Sequence, residues 1–168
     1  MKTLLLLRHG KSSWKNSTLS DHDRPLKKRG RAAAKRVGQR LRELDLVPEH
    51  LLTSSAVRAL ETARRVIKGA NYRGEAETVP RLYHADPPAL VAIVSRVPNR
   101  YETILVVGHN PGLEEWLTRL SGRPQTLPTA ALSCLELPLE SWLDLTPDTR
   151  GELTEIWRPD EPSRAGHR

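Results

Sequence analysis

The sequence predicts a three-layer α/β sandwich around a mainly parallel central sheet, and three observations carry that expectation. Short apolar runs alternate along the chain with stripes at helical spacing, the pattern of strands interleaved with helices. The two strongest runs, Thr3 to Leu7 and Thr103 to Val107, are almost continuously apolar, as expected for strands covered on both faces. The chain has 168 residues, which suits a single core that needs no cross-link.

Taken in order, Thr3 to Leu7 reads as the first strand. Leu26, Ala33, Val37, Leu41 and Leu44 then recur at helical spacing. Leu51 to Ser54 is a short second strand, followed by a helical stripe at Ala56, Leu60, Ala63 and Ile67. Ala76 to Val79 is a weak third strand. Leu90, Ile93, Val94 and Val97 fit the i, i+3, i+4, i+7 pattern. Thr103 to Val107 is the fourth strand, and Leu113, Trp116, Leu117 and Leu120 form the next helical face. Ser121 to Thr129 is a loop rich in Gly and Pro. Leu132 to Leu137 and Glu152 to Trp157 are late strands, paired around Thr146-Pro147-Asp148. Parallel crossovers are expected to be right-handed. The domain is expected over 1–158, with 159–168 as a frayed tail.

Composition narrows the function classes. With no Phe, the core must come from Leu, Val and Ala, with four Trp as bulky fillers. Cys134 is the only cysteine, which excludes an intramolecular disulfide and a cysteine-based zinc site, and its apolar surroundings mark it as a small buried residue. The leucines at Leu4 to Leu7 are too few for a signal-peptide core, and no stretch approaches the roughly 18–20 apolar residues of a membrane span. A cytoplasmic protein without membrane association is expected. The net charge is +7, with 20 Arg against 7 Lys, which suits an anionic partner.

In open α/β sheets, ligands bind beyond the carboxyl ends of the strands. The first strand ends in Arg8-His9-Gly10. The second ends in Ser54-Ser55, with Arg58 in the first turn of the next helix. The fourth ends in Gly108-His109-Asn110-Pro111-Gly112. Singly, His9 reads as a polar residue near the surface and Arg58 as an exposed helix arginine. Together, two arginines and two histidines delivered to one side of the sheet read as a phosphoryl site. Arginine grips phosphate through a planar fork of donors. Asn110 is expected to cap a helix starting at Pro111, whose free N–H groups attract anions. A histidine among these groups can attack phosphorus if its reacting nitrogen is unprotonated, and a backbone carbonyl accepting from the other ring nitrogen would fix that tautomer.

These residues carry a family resemblance. Arg8-His9-Gly10, Asp21-His22-Asp23-Arg24-Pro25-Leu26, Arg29-Gly30, the run from Ser54 through Arg58 to Ala63, and Gly108-His109-Asn110-Pro111 occur in the order found in the histidine phosphatase superfamily, which has the phosphoglycerate-mutase-like fold. Over roughly residues 2 to 157 the chain resembles the short SixA-type phosphohistidine phosphatases. The resemblance implies that His9 is transiently phosphorylated. It also implies that Arg8, Arg58 and His109, with Asn110 beside them, hold the phosphoryl oxygens, and that no metal or other cofactor takes part.

In one respect the sequence departs from larger members of that superfamily, which use a Glu or Asp to protonate the leaving group. The segment Leu82-Tyr83-His84-Ala85-Asp86-Pro87 holds no Glu. Asp86, His84, Asp21 and Asp23 remain open as proton donors. A histidine leaving group, with a pKa near 6.5, needs less acid help than an alkoxide, which points to phosphohistidine on a protein. The expected partner is a histidine-phosphotransfer or carrier domain, with no nucleic acid and a monomeric enzyme. A broad small-molecule phosphomonoesterase is the alternative enzyme. A non-catalytic module binding phosphorylated or acidic proteins is the alternative outside catalysis.

Arg24 to Arg42 carries nine Lys or Arg and no acid. It reads first as a solvated helix face, and second as a docking surface for an acidic phosphoprotein. Asp21-His22-Asp23 lacks the spacing of a metal site. His50 and His167 read as surface residues, Trp116 as core, and Trp14 as a residue of the substrate entrance.

Overall fold

The two strongest apolar runs lie side by side at the centre of the sheet in the computed structural model, which describes residues 1–159. Strand β1 (Lys2–Arg8) pairs in parallel with β4 (Thr103–Gly108), whose other edge pairs in parallel with β2 (His50–Thr53). Strand β3 (Ala76–Thr78) closes one edge in parallel. Strands β5 (Leu132–Leu137) and β6 (Glu152–Trp157) run antiparallel at the other, giving the order β3-β2-β4-β1-β5-β6.

Alternation along β1 explains why its apolar run is continuous. Leu4 and Leu6 face one helical layer, made of α3 (Pro87–Val94) and α4 (Gly112–Ser121). Leu5 and Leu7 face the other, made of α1 (Lys28–Glu43) and α2 (Val57–Ala70). All four leucines are fully buried, so neither face of the strand tolerates a polar residue. Trp116 is core and Cys134 is a small buried residue, as their apolar settings predict. No helix among the described residues is long and apolar enough to cross a membrane. The tail expected over 159–168 lies, from residue 160 onward, outside the described residues, and so does His167.

The inner face of α2 differs from the predicted stripe. Ala59, Thr62, Ala63, Val66, Gly69 and Ala70 are buried, while Leu60 and Ile67 sit half-buried on its flank. The cause is the close approach of α1. A Cβ on Gly69 would lie 2.3 Å from the Lys35 carbonyl oxygen, and one on Gly38 would lie 2.4 Å from that of Val66. Backbones this close leave room only for small side chains. Gly69→Ala is therefore expected to destabilise the protein by about 1–3 kcal/mol through overpacking, despite the roughly 1 kcal/mol gain in helix propensity. The urea unfolding midpoint measures this, and an unchanged midpoint would contradict the tight interface.

Register positions the functional end of the sheet. Arg8 lies opposite Gly108, and Thr53 opposite Val107. The pairing continues one step beyond each strand, with His9 N–H donating to the Gly108 carbonyl (3.1 Å) and Ser54 N–H to that of Val107 (3.0 Å). Three strand ends thus terminate at one level, and the segments that follow them converge.

Candidate active site

Gly10 lets the chain turn away from β1. Its Cα packs against the backbone of Gly30, where an added Cβ would come within 2.8 Å of a carbonyl oxygen. The Gly10 N–H donates to Thr62 Oγ1 (3.0 Å), which in turn donates to the Arg58 carbonyl (2.7 Å). This path ties the loop after β1 to the first turns of α2 and fixes His9 relative to Arg58.

His9 is 7% exposed. Its Nδ1 lies 2.7 Å from the Gly10 carbonyl oxygen. A carbonyl only accepts, so Nδ1 carries the hydrogen and Nε2 of the neutral ring presents a lone pair. Arg58 Nε donates toward that Nε2 at 3.4 Å. Burial pushes the His9 imidazole down to about 4, with the Arg58, Arg8 and Arg24 guanidiniums acting in the same direction and the Gly10 carbonyl opposing them.

His109 stands beside it, with ring centroids 5.1 Å apart. Its Nδ1 accepts from Arg58 Nη2 (3.5 Å), so its Nε2 donates to Ser54 Oγ (2.7 Å), which also accepts from the Ala56 N–H. Burial, then the neighbouring His9 and Arg58, push His109 down to about 3. Both rings are neutral at pH 7. Since the unfolded chain binds their protons more tightly, the unfolded state takes up more protons below pH 6.5, and stability falls as the pH drops toward 4. His9 in the ligand-free protein is expected to titrate near pH 4 in a nitrogen-15 NMR experiment. A midpoint at or above 6.5 would contradict the buried, cation-flanked environment.

Arg58 is the hub of the site. Its Nη1 donates to the Asp21 carbonyl (2.6 Å) and its Nη2 to Asp21 Oδ2 (3.0 Å). Asp21 also accepts from Arg24 (2.8 Å) and from the Tyr83 hydroxyl. The Tyr83 hydroxyl, Arg58 and Arg24 together hold the Asp21 carboxyl well below the usual carboxylate range. Arg24 continues outward to Ser12 Oγ, and its guanidinium lies 3.2 Å from the ring centroid of the exposed Trp14.

The two histidines and Arg58, with Ser12, Trp14 and Arg24, line a cleft of about 350 Å³. Arg8, Lys11, Arg24, Lys27 and Arg58 bring five cations to its wall, and among the described residues no carboxylate lines it. His9, His84, His109, Asn110 and Trp14 also line it. Such a cleft attracts a multiply charged anion.

Asn110 does not play the predicted capping part. Helix α4 starts at Gly112, with Pro111 preceding it and no side-chain cap. Asn110 Nδ2 donates to Glu114 Oε2 (3.1 Å) and to the Leu127 carbonyl (2.9 Å), which uses both of its hydrogens. Arg8 Nη1 donates to that same Leu127 carbonyl (3.3 Å), so Asn110 clamps the loop against which Arg8 rests. Among the described residues, Arg8 Nε is buried without a hydrogen-bond partner.

Of the four candidate proton donors, only His84 lines the cleft. Asp86 caps α3 by accepting from the Ala89 N–H (3.0 Å). Asp23 is exposed and pairs with His22, whose Nε2 meets Ser55 Oγ (3.0 Å). Asp21 is held as an anion by three donors. Among the described residues, no three His, Cys, Asp or Glu side chains converge as a metal would require. His50, predicted as a surface residue, is partly buried, bonded to Glu77 (2.8 Å) and stacked on Tyr101. Sequence reasoning missed Ser12, Thr62 and Tyr83. Only Thr62 left a local trace, one helical turn after Arg58, where its hydroxyl reaches the Arg58 carbonyl.

An imidazole with a free lone pair, set in a cationic cleft at the carboxyl end of a mainly parallel sheet, defines a phosphoryl-transfer site. The chain belongs to the histidine phosphatase superfamily: the model of its first branch matches residues 4–86, which hold Arg8, His9 and Arg58. Within that superfamily of phosphatases it is of the SixA type. A Nakamurella multipartitia structure designated phosphohistidine phosphatase SixA superposes with a TM-score of 0.79 at 26% identity, over 95% of this chain and 97% of that one. A chloroplastic Arabidopsis thaliana protein of uncharacterised activity is 35% identical over 150 residues, covering 84% of this chain and 69% of the relative. An uncharacterised Mycobacterium tuberculosis protein is 31% identical over 152 residues, covering 84% and 92%.

Proposed function

We infer that the protein hydrolyses the phosphoramidate of a phosphohistidine presented on another protein, carrying the phosphoryl group transiently on His9. The observation that carries this reading is a nucleophile without a carboxylic acid beside it: every candidate carboxylate is bonded elsewhere or lies outside the cleft. A site of this kind serves a leaving group that departs with little acid assistance, and imidazole departs far more readily than an alkoxide. Nucleophile and leaving group are then the same chemical group, so the first transfer is close to isoergic.

In that first step the His9 Nε2 lone pair forms a bond to phosphorus. The substrate P–N bond breaks, and its electron pair returns to the substrate ring, whose other nitrogen carries a hydrogen, so that it leaves as neutral imidazole. The ring of His9 becomes cationic, and its Nδ1–H donates more strongly to the Gly10 carbonyl. Arg8 and Arg58 hold the non-bridging oxygens, and His109, whose one N–H is engaged by Ser54, joins them when its Nδ1 takes up a proton. In the second step a water oxygen bonds to phosphorus, the P–Nε2 pair returns to the His9 ring, and the water proton passes to solvent. His84 is the cleft residue available to carry that proton.

The partner is a histidine-phosphotransfer or carrier domain. The cleft mouth is flanked by the exposed Trp14 and Lys11 and the half-buried Lys27, and the exposed side chains Lys28, Arg29, Lys35 and Arg36 of α1 extend the cationic surface from it, which suits an acidic phosphoprotein. The test compares phosphate release from a histidine-phosphorylated phosphotransfer protein with release from an alkyl phosphate ester. The expected preference in kcat/KM for the phosphohistidine is at least about 100-fold. Faster turnover of the ester would move the substrate to small molecules, and release from neither would leave a binding module.

A further inference from the structure

A second cleft lies on the α3 side of the sheet, between residues of β2 and β3 and the C-terminal end of that helix. It encloses about 380 Å³ and shares no lining residue with the active cleft. Its floor is apolar, built from Leu52 of β2, Val79 just beyond β3, Ile93 of α3 and Val97 just past that helix. One wall is aromatic: His50 stacks on Tyr101 with ring centroids 4.7 Å apart and planes 6° apart, and Glu77 Oε2, 2.8 Å from His50 Nε2, holds the imidazole in place.

The rim is cationic. Arg81, Arg96 and Arg100 line it against one carboxylate, Glu77, which His50 already engages. Arg100 rests on the Tyr101 ring, its guanidinium 4.6 Å from the centroid, and donates to the Tyr101 hydroxyl. Arg81 and Arg96 have no side-chain hydrogen bond or ion pair among the described residues. An apolar floor, a flat aromatic wall and unpaired guanidiniums at the mouth are the elements of a small-molecule site.

We propose that this cleft binds a small amphipathic anion, a flat aromatic body bearing one acidic group. The ring enters between the Leu52–Ile93 floor and the His50–Tyr101 wall, where burial of its faces removes apolar surface from water. The acidic group remains at the mouth, where Arg81 and Arg96 offer forked donors. Because the two clefts share no residues, the site works independently of the chemistry at His9.

The experiment titrates 2-naphthoate into the full-length protein in the presence of excess inorganic phosphate, which competes for the active cleft, and follows amide shifts by two-dimensional NMR. Saturable shifts are expected at Leu52, Ile93 and Val97. The affinity is expected to fall about tenfold or more for the neutral 2-naphthalenemethanol, and by a similar factor in the Arg81→Ala/Arg96→Ala double variant. Both arginines are exposed, so that variant keeps the fold. Absence of saturable shifts at these residues, equal binding of the neutral probe, or unchanged affinity in the double variant overturns the proposal.

Discussion

Replacing His9 by Ala is expected to reduce phosphate release by about 10⁴-fold or more while leaving the fold intact. The size follows from the site's economy of nucleophiles. Among the described residues, only His9 combines an unprotonated nitrogen facing the cleft with a carbonyl, that of Gly10, stabilising the cation formed on phosphorylation. The Nε2 of His109 is committed to Ser54, and its Nδ1 faces Arg58. The fold survives because the side-chain hydrogen bonds of His9 reach only the neighbouring Gly10 carbonyl and, at 3.4 Å, Arg58. The loop itself is held by backbone: His9 N–H on Gly108 and Gly10 N–H on Thr62. Steady-state kinetics with circular dichroism on the same sample check both halves. A folded variant retaining a tenth of wild-type activity would place the nucleophile elsewhere.

Replacing Arg58 by Ala is expected to lower kcat by about 10²–10³-fold, the range for losing one donor to transition-state charge. Two effects add. The phosphoryl group loses a forked cation between the two histidines, and Asp21 loses two of the donors that fix its loop at the cleft edge. Lysine does not replace arginine here, because a single ammonium cannot reach the Asp21 carbonyl, the Asp21 carboxylate and both imidazoles together. Arg58→Lys should therefore stay within about tenfold of Arg58→Ala. Full activity in Arg58→Lys would reduce the residue to a point charge. Asp21→Asn separates the effects: it retains the guanidinium in the cleft and weakens its anchoring together with the contacts to Arg24 and Tyr83, so its loss should be smaller.

The elements that the sequence reveals best are those whose burial is one-dimensional. Strands β1 and β4 are covered on both faces, so their runs are apolar along their length, and β5 and β6 fall where their patterns place them. The inner face of α2 was harder to read because packing there is decided by closeness rather than hydrophobicity. Ala59, Gly69 and Ala70 carry little weight in a hydrophobic pattern, yet they are what α1 demands. Asp86 carries a legible signal: an Asp before two prolines and an apolar stretch is an N-cap, which removes it as a proton donor.

The candidate site divides in the same way. Arg8, His9 and His109 were legible because each stands at or just past a strand end, and Arg58 because it lies in the first turn of the helix that follows one; parallel strands deliver their ends to one side. Tyr83, Ser12 and Thr62 were not, because their place comes from contacts between elements far apart in sequence, such as Tyr83 with Asp21. The clamp formed by Asn110, Glu114 and Leu127 depends on where the loop after α4 returns, which no local pattern encodes.

The most direct test of the account is to trap the phosphoenzyme. Wild-type protein is mixed with a histidine-phosphorylated phosphotransfer protein, quenched in alkali within one turnover, and mapped by peptide mass spectrometry. A phosphoryl group is expected on His9 that is stable in base and labile in acid, that forms before phosphate is released and that is absent from His9→Ala. Phosphate release at full rate with no phosphoryl group on His9 at any time would contradict it.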